Sequence, residues 1–179
     1  MNNFLPDKYE MPDSTSGYMK FKQNDNTFRI LSSAIVGFET WIDTEDGKRK
    51  PIRWRMGTEM KAEKIGTDPK HFWAFVVWNF NDKKVQILEL TQKGIMRSIQ
   101  ALVNNPKWGD PKTYNLVVTR TGEGMETDYQ VQPEPKEDLD EGILKFYKDL
   151  NINLEALFTG DDPFKSEGLT EEDMRAIQR

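Results

Sequence analysis

The sequence contains no cysteine and only one histidine, His71. Without cysteine the chain cannot form a disulfide, supply a thiolate nucleophile or build a cysteine-ligated zinc site. A single histidine provides neither a pair of imidazole metal ligands nor a relay of several histidines. These absences leave carboxylate, serine or lysine chemistry as the catalytic options. We therefore expect no cofactor and no bound metal.

Long apolar runs are also missing. No stretch approaches the roughly 18 consecutive apolar residues of a membrane-spanning helix. Residues 1–17 lack the basic start and apolar stretch of a secretion signal. A chain of 179 residues, of which 31% are charged, is typical of one soluble domain with appendages. We expect a cytoplasmic protein without membrane contact.

The net charge of -5 is divided unevenly along the chain. Residues 18–120 hold 18 Lys and Arg against 11 Asp and Glu, whereas residues 121–179 hold 6 against 16. Such asymmetry indicates a basic body that binds nucleic acid and an acidic end that binds something else. The alternative is an ordinary solvated surface that is modestly basic.

Composition divides the chain into three parts. Residues 1–17, which contain two prolines and two serines, are typical of a loosely held arm. Residues 18–133 carry strand-like patterns and form the predicted folded domain. Residues 134–179 begin within the Pro- and Glu-rich linker "QPEPKEDLDEG" and are predicted to form an acidic, helical C-terminal extension.

The first strands are marked by β-branched and aromatic residues. The stretch "NTFRILSSAIVGFETWID" is either one long strand or two strands sharing a bend at Gly37. Asp46-Gly47 favours a hairpin turn, after which "PIRWRM" returns as the partner strand. Strands over residues 71–80 and 84–90 follow a polar segment at residues 57–70.

A change to helical spacing after residue 90 predicts one helix inside the domain. Thr91 is its expected N-cap, Asn104-Asn105-Pro106 its end, and its apolar face is expected to hold Ile95, Ile99, Leu102 and Val103. The strands "YNLVVTR" and "TDYQVQ" come next. Five or more strands with one inserted helix predict a mainly β protein with an OB-type five-stranded barrel. Other β-barrels with one helix fit almost as well.

The strand "HFWAFVVWNF" holds two tryptophans and three phenylalanines in ten residues. Alternation places Phe72, Ala74, Val76, Trp78 and Phe80 on one face, and His71, Trp73, Phe75, Val77 and Asn79 on the other. The first face is wholly apolar and is expected to line the barrel. Trp73 and Phe75 are therefore candidate surface rings for stacking unpaired bases. The alternative is that a C-terminal helix covers them.

The hairpin "KRKPIRWRM" supplies positive charge around a tryptophan. Phosphates need cations and bases need flat partners, so interleaved basic and aromatic residues favour single-stranded nucleic acid. A solvated hairpin is the plainer alternative. The predicted nucleic-acid-binding residues of this region are Lys48, Arg49, Lys50, Arg53, Trp54, Arg55, Lys61 and Lys64.

Two stretches raise enzymatic alternatives. Asp43, Glu45 and Asp46 in a turn could hold Mg²⁺ in a nuclease, but neighbouring lysines and arginine make them more typical of a charged hairpin tip. "TGEGMETD" superficially resembles a phosphate-binding loop, yet no helix follows it and no Lys-Ser/Thr closes it. We therefore expect no catalysis.

The ordered strings "YMKFKQNDNTFRILSS", "KHFWAFVVWNFNDKKVQILELTQKGIMRSIQALV" and "YNLVVTRTGEGMETDYQVQP" resemble the single-stranded DNA-binding proteins of tailed bacteriophages. They are more distantly similar to the helix-destabilising proteins of T-even phages. The resemblance spans residues 18–133 and implies an OB fold, sequence-tolerant binding and a tail that recruits replication and recombination enzymes. The chain departs from the T-even pattern by lacking the cysteines of a zinc module, and residues 1–17 are acidic rather than basic.

The acidic end is the predicted partner-binding tail. "GDDPF" places Asp161 and Asp162 beside Pro163 and Phe164, and the Pro-rich linker is expected to let the extension swing away. The alternative for residues 138–158 is packing as helices on the barrel or on a twin subunit in a homodimer; its apolar residues are Ile143, Phe146, Tyr147, Leu150, Leu154, Leu157 and Phe158. A last charged helix is predicted at residues 170–178.

These observations predict a non-catalytic protein that coats and protects single-stranded DNA during phage replication, recombination and repair in the bacterial cytoplasm. Its partners would be single-stranded DNA and, through the tail, replication or recombination proteins of phage or host. The alternative is a phage-encoded interaction module, such as a regulator of a host enzyme, that uses the aromatic residues as a protein interface.

Overall fold

A computed structural model describes residues 17–58 and 66–164 of the chain. The chain is mainly β, and its described part holds seven strands and three α-helices. In chain order they are β1 (Asn24–Ile30), β2 (Ile35–Asp43), β3 (Arg49–Arg55), β4 (Lys70–Asn79), β5 (Lys84–Leu90), α1 (Lys93–Asn104), β6 (Asn115–Thr121), β7 (Asp128–Pro133), α2 (Glu141–Leu150) and α3 (Ala156–Thr159).

The strands form one open antiparallel sheet organised around β4. β5 pairs with one edge of β4, while β2 and β1 share the other edge. β3 then pairs with β2, β6 with β1, and β7 with β6. The sheet therefore places the β2–β3 hairpin at one end and the β6–β7 hairpin at the other.

The predicted long first strand is two strands, but the break lies at residues 31–34 and not at Gly37. In the break the Ser32 hydroxyl accepts a hydrogen bond from the Val76 amide at 2.8 Å, in place of a ladder carbonyl. Gly37 lies within β2, where an added Cβ would approach the Trp54 carbonyl oxygen to 2.3 Å. The absence of a side chain at Gly37 therefore allows β2 and β3 to approach each other closely.

Both faces of β4 are covered, which corrects the predicted division into a barrel face and a surface face. Phe75 and Val77 pack beneath α1 in the larger core, together with residues of β1, β5 and β6. On the opposite face Phe72, Ala74 and Val76 pack against the C-terminal extension. β4 is thus a central strand, and its continuous apolar sequence matches burial on both sides.

Helix α1 is confirmed, with small differences at its ends and on its face. It begins at Lys93 after Gln92 rather than at a Thr91 cap, and no side chain caps it. Ile95 and Ile99 are buried as predicted, and Leu102 packs at the edge of the core. Val103 is 42% exposed instead, while Met96, which was not predicted, is buried.

The C-terminal extension covers the face of the sheet opposite α1. The predicted helical character of the extension is confirmed in α2, whose first turn is capped by the Asp140 carboxylate accepting from the Gly142 amide at 2.7 Å. Tyr147 and Leu150 pack inward, but Phe146, expected to pack, is 44% exposed. The predicted helix at residues 170–178 lies outside the described residues.

None of the helices in residues 17–58 and 66–164 is long and apolar enough to cross a membrane.

Candidate nucleic-acid interface

The β2–β3 hairpin sorts its basic residues onto two faces of the sheet. Its register pairs Phe38 with Trp54 and Ile42 with Lys50. Because side chains alternate along a strand, Lys50 and Trp54 share the α1 face of the sheet, and Lys48 lies in the turn before β3. Arg49, Arg53 and Arg55 share the face that carries the C-terminal extension. The predicted basic cluster is therefore two groups with different surroundings.

All three arginines of the hairpin are paired with carboxylates. Arg49 lies 3.5 Å from Asp43. Arg55 pairs with Glu155, and its guanidinium lies over the Phe158 ring at 4.7 Å from the centroid. The partner of Arg49 belongs to β2, and both partners of Arg55 belong to the C-terminal extension. The charges of these two arginines are therefore already partly neutralised. Arg49 and Arg55 are still more than half exposed, and exposed ion pairs are weak, so their contact with phosphates stays a prediction.

Arg53 is the centre of a buried ion cluster, which corrects its predicted role as a phosphate contact. Its side chain is 10% exposed and donates to Glu39 Oε2 at 3.2 Å and to Glu89 Oε2 at 2.7 Å. The cluster joins β2, β3 and β5 on the side of the C-terminal extension. Removing one partner of a buried ion pair leaves the other buried charge uncompensated, which destabilises the fold. Substitution of Arg53 therefore tests folding rather than DNA contact.

The two carboxylates of this cluster share one arginine. Burial raises the pKa of Glu89 from its usual 4.5 to about 8, and a hydrogen bond with Glu39 adds to the effect, while Arg53 acts in the opposite direction. Burial also raises the pKa of the nearby Tyr18 hydroxyl. A proton therefore stays on Glu89 at neutral pH and limits the negative charge inside the cluster.

A row of three rings crosses the sheet on the α1 face. Trp54 of β3 stacks on Phe38 of β2 with ring centroids 6.0 Å apart, and Phe38 lies 5.3 Å from His71 of β4. All three are half-buried. We call Trp54, Phe38 and His71 the aromatic row. It presents flat surfaces that are held by the sheet and still reach solvent.

His71 is fixed at one end of the aromatic row by its backbone contact. Its Nδ1 lies 2.7 Å from the Gly37 carbonyl oxygen. Since a carbonyl only accepts, Nδ1 carries a hydrogen and donates it, which leaves Nε2 for a further hydrogen bond. The ring orientation is therefore set before any ligand binds.

Positive charge lies further along the same hairpin as the aromatic row. Lys48 and Lys50 are exposed at the end of the hairpin, and neither forms an ion pair with any residue in the described part of the chain. Register places Lys50 on the same face as Trp54, and Lys48 lies just before β3. Cations and solvent-reaching rings on one hairpin are the two features that binding of single-stranded nucleic acid combines. Lys61 and Lys64, also predicted here, lie outside the described residues.

The two rings selected on β4 do not form the predicted surface. Phe75 is 2% exposed and lies within the core beneath α1, so its interpretation as a stacking platform is wrong. Trp73 is half-buried and packs at the edge of the same core. Val36, its partner on β2, is exposed. Trp73 therefore borders the aromatic row without belonging to it.

Phe38 and His71 were not selected from the sequence as site residues. The hairpin itself contained the signal, because the Asp46-Gly47 turn sets the register of the strands that follow it. Counting outward from the turn pairs Asp43 with Arg49, and five steps further it pairs Phe38 with Trp54. A search limited to one strand misses rings that meet across strands.

The acidic turn of the hairpin is occupied by its own contacts. Asp46 accepts from the Thr44 hydroxyl and from the Lys48 amide, and the Thr44 hydrogen bond, the larger cause, lowers the pKa of Asp46. Asp43 pairs with Arg49. Among the described residues, no three acidic or histidine side chains converge as metal ligands would. These contacts favour a charged hairpin tip.

The predicted partner-binding tail is docked on the body of the protein. Pro163 is buried, and its carbonyl accepts from the Asn153 amide at 2.8 Å. The Phe164 ring meets Tyr18 edge-on, 5.9 Å between centroids. Asp161 and Asp162 are exposed. The expectation that the extension swings away from the body is therefore not supported, because Pro163 and Phe164 are packed there.

Comparison of the chain with protein-family models, with curated proteins and with solved structures finds no match. The resemblance to phage single-stranded DNA-binding proteins accordingly rests on the residues quoted above, and the functional assignment rests on the geometry of the aromatic row.

Proposed function

We propose that this chain is a sequence-tolerant single-stranded DNA-binding protein without catalytic activity. The observation that carries the proposal is the aromatic row on a hairpin whose Lys48 and Lys50 form no ion pair within the described ranges. Trp54 and Phe38 offer two flat rings that stack on each other with their centroids 6.0 Å apart. Bases of any sequence have flat faces, so stacking on such rings is tolerant of sequence.

The mechanism is mass action. A protein that stacks on unpaired bases and attracts their phosphates binds melted strands and not the duplex, whose bases are already stacked. Binding therefore holds separated strands apart, removes hairpins and shields the strand from nucleases, with no chemistry on the DNA. Lys48 and Lys50 supply the electrostatic part, which weakens with added salt.

We further propose an OB-type barrel and a role in phage replication, recombination or repair. Support for the fold comes from the order of elements, with α1 inserted between β5 and β6 of an antiparallel sheet. Support for the biological setting comes only from the resemblance of residues 18–133. The acidic extension remains the proposed contact for a protein partner, through the exposed Asp161 and Asp162 rather than through Phe164.

A protein-interaction module is the second candidate, favoured by exposed apolar residues elsewhere. Leu144 and Phe146 on α2 both reach solvent, and a protein interface commonly uses such residues. This candidate predicts no saturable binding of oligo-dT. The experiment below therefore separates the two.

Reversing two charges of the hairpin, Lys48→Glu together with Lys50→Glu, is expected to weaken oligo-dT binding for every sequence tested. On single strands log K falls with log salt by about 0.7 per phosphate neutralised, so the double variant should lose about 1.4 from the slope. Fluorescence anisotropy of a labelled strand at several salt concentrations measures both the affinity and the slope.

The matched control is Lys145→Glu with Lys148→Glu on α2, which makes the same change in net charge at exposed positions away from the aromatic row. This control should bind nearly as the wild type does. Equal losses in the two double variants would show that only net charge matters, and the hairpin would then be excluded from the site.

A further inference from the structure

A cavity on the opposite side of the sheet from the aromatic row has no part in the proposed function. Its volume is about 490 Å³, within the range of small-molecule sites. It lies between β1, the turn before β6, the linker at residues 136–139 and α2. Its apolar wall is formed by Ile30, Leu31, Leu139 and Leu144.

The floor of this cavity contains a buried arginine. Arg29 is 2% exposed and donates to three neutral acceptors: Asn115 Oδ1 at 2.7 Å, the Lys112 carbonyl at 3.3 Å and the Glu137 carbonyl at 3.0 Å. Burial lowers the pKa of its guanidinium. A charge removed from water in this way ordinarily has an ionic partner.

Arg29 forms no ion pair with any residue in the described ranges. The nearby Glu137 carboxylate accepts instead from the Asn115 amide at 3.2 Å. A guanidinium has five N–H groups, and the three hydrogen bonds leave one N–H on each terminal nitrogen without an acceptor among described residues. Free donors on the two terminal nitrogens of a guanidinium can together bind a carboxylate through both oxygens.

The charge of the lining indicates how many negative charges the ligand carries. Lys112 and Lys136 add two cations to Arg29, and Glu137 and Asp138 supply two anions. The lining is therefore left with one net positive charge. One positive charge beside an apolar wall fits a singly charged anion with a hydrocarbon body better than it fits a doubly charged phosphate.

We propose that this cavity binds a small amphiphilic carboxylate, with its carboxylate toward Arg29 and its apolar body against Leu139 and Leu144. The site lies on the face opposite the aromatic row and does not depend on DNA binding.

Octanoate is the probe, added to the full chain and followed by amide chemical shifts. Saturable shifts centred on Thr113 and Leu144 are expected, with a Kd on the order of 1 mM or tighter. Octanol, octylammonium and octyl phosphate, which share the octyl chain, should each bind more weakly. Absence of saturation up to about 10 mM octanoate would overturn the proposal. Octylammonium affinity equal to that of octanoate would also overturn it, as would chemical-shift changes centred elsewhere in the protein. Tighter binding of octyl phosphate than of octanoate would contradict the assignment of a carboxylate ligand.

A rim variant avoids disturbing the buried arginine. Lys112→Glu with Lys136→Glu changes exposed residues and should weaken octanoate binding at least about tenfold by reversing the net charge of the lining. Lys145→Glu with Lys148→Glu is the control and should not weaken it. The rim variant should bind oligo-dT as the wild type does, and the Lys48 and Lys50 double variant should bind octanoate as the wild type does. The two proposed sites are therefore tested independently of each other. Unaltered octanoate affinity in the rim variant would refute the site.

Discussion

Replacing Phe75 by alanine is expected to lower the free energy of unfolding by about 3 to 5 kcal/mol, the range for a large ring deleted from a packed core. The ring is enclosed by α1 and by residues of β1, β5 and β6. Neither its neighbours nor water can fill the space without loss of contacts. Urea unfolding followed by circular dichroism measures the change.

Phe146→Ala is the matched control, because it removes the same ring from a half-exposed position on α2. A surface change of this kind should cost less than about 1 kcal/mol. If Phe75→Ala costs no more than Phe146→Ala, Phe75 is not a core residue, and the original interpretation of it as a surface ring would be restored.

Stability is expected to fall as the pH rises from 4.5 to about 8, because of Glu89. The folded chain holds the Glu89 proton more tightly than the unfolded chain does, so the stabilisation is complete below the unfolded pKa. It is lost as pH rises through the folded pKa, by up to roughly 1 kcal/mol per pH unit. Urea midpoints across this range measure the slope.

Glu89→Gln should remove that part of the slope and be more stable than the wild type at pH 8, because the amide keeps the shape of a protonated carboxyl group. Glu155→Gln changes a half-exposed carboxylate that also pairs with an arginine, and it should leave the slope nearly unchanged. The difference between wild type and Glu89→Gln isolates one group from the others that titrate. A Glu89→Gln slope equal to that of the wild type would contradict a protonated Glu89 in the folded chain.

Local patterns in the sequence predicted the elements well. Three elements depend on residues that are close in sequence: the Asp46-Gly47 turn, the strand at residues 84–90 and the helix around Ile95 and Ile99. The helical spacing was readable because one face of α1 is buried and the other is exposed. Element type is therefore visible from local spacing and turn residues.

The orientation of β4 was not visible for the opposite reason. Phe72 and Phe75 lie on opposite faces and both are buried, so alternation carries no sign of which face meets solvent. The basic hairpin posed a similar problem, since Arg53 meets Glu39 across the hairpin and Glu89 from β5. Only the register of distant strands shows that this cation is already paired.

The docking of the acidic end depends on a contact between the two ends of the described chain. Phe164 packs on Tyr18 and against Gly17, and "GDDPF" carries no periodic signal that would indicate burial. Its charge and its proline suggested a free segment instead. Composition alone cannot distinguish a free acidic segment from one that packs on the body of the protein through two apolar residues, as Pro163 and Phe164 do here.

The most direct test of the proposed function is oligo-dT binding by variants of the aromatic row. Phe38→Leu and Trp54→Leu keep an apolar side chain and remove a flat ring. Each should weaken binding by roughly 5- to 150-fold, the equivalent of about 1 to 3 kcal/mol for one stacked base. Thermal melting followed by circular dichroism verifies that each variant is folded.

Trp41→Leu is the control, since Trp41 is a 36% exposed tryptophan of the same hairpin whose register places it on the opposite face of the sheet. The account predicts that folded Phe38→Leu and Trp54→Leu lose affinity for oligo-dT while Trp41→Leu retains it. Wild-type affinity in both row variants, or an equal loss in Trp41→Leu, would contradict a nucleic-acid site at the aromatic row.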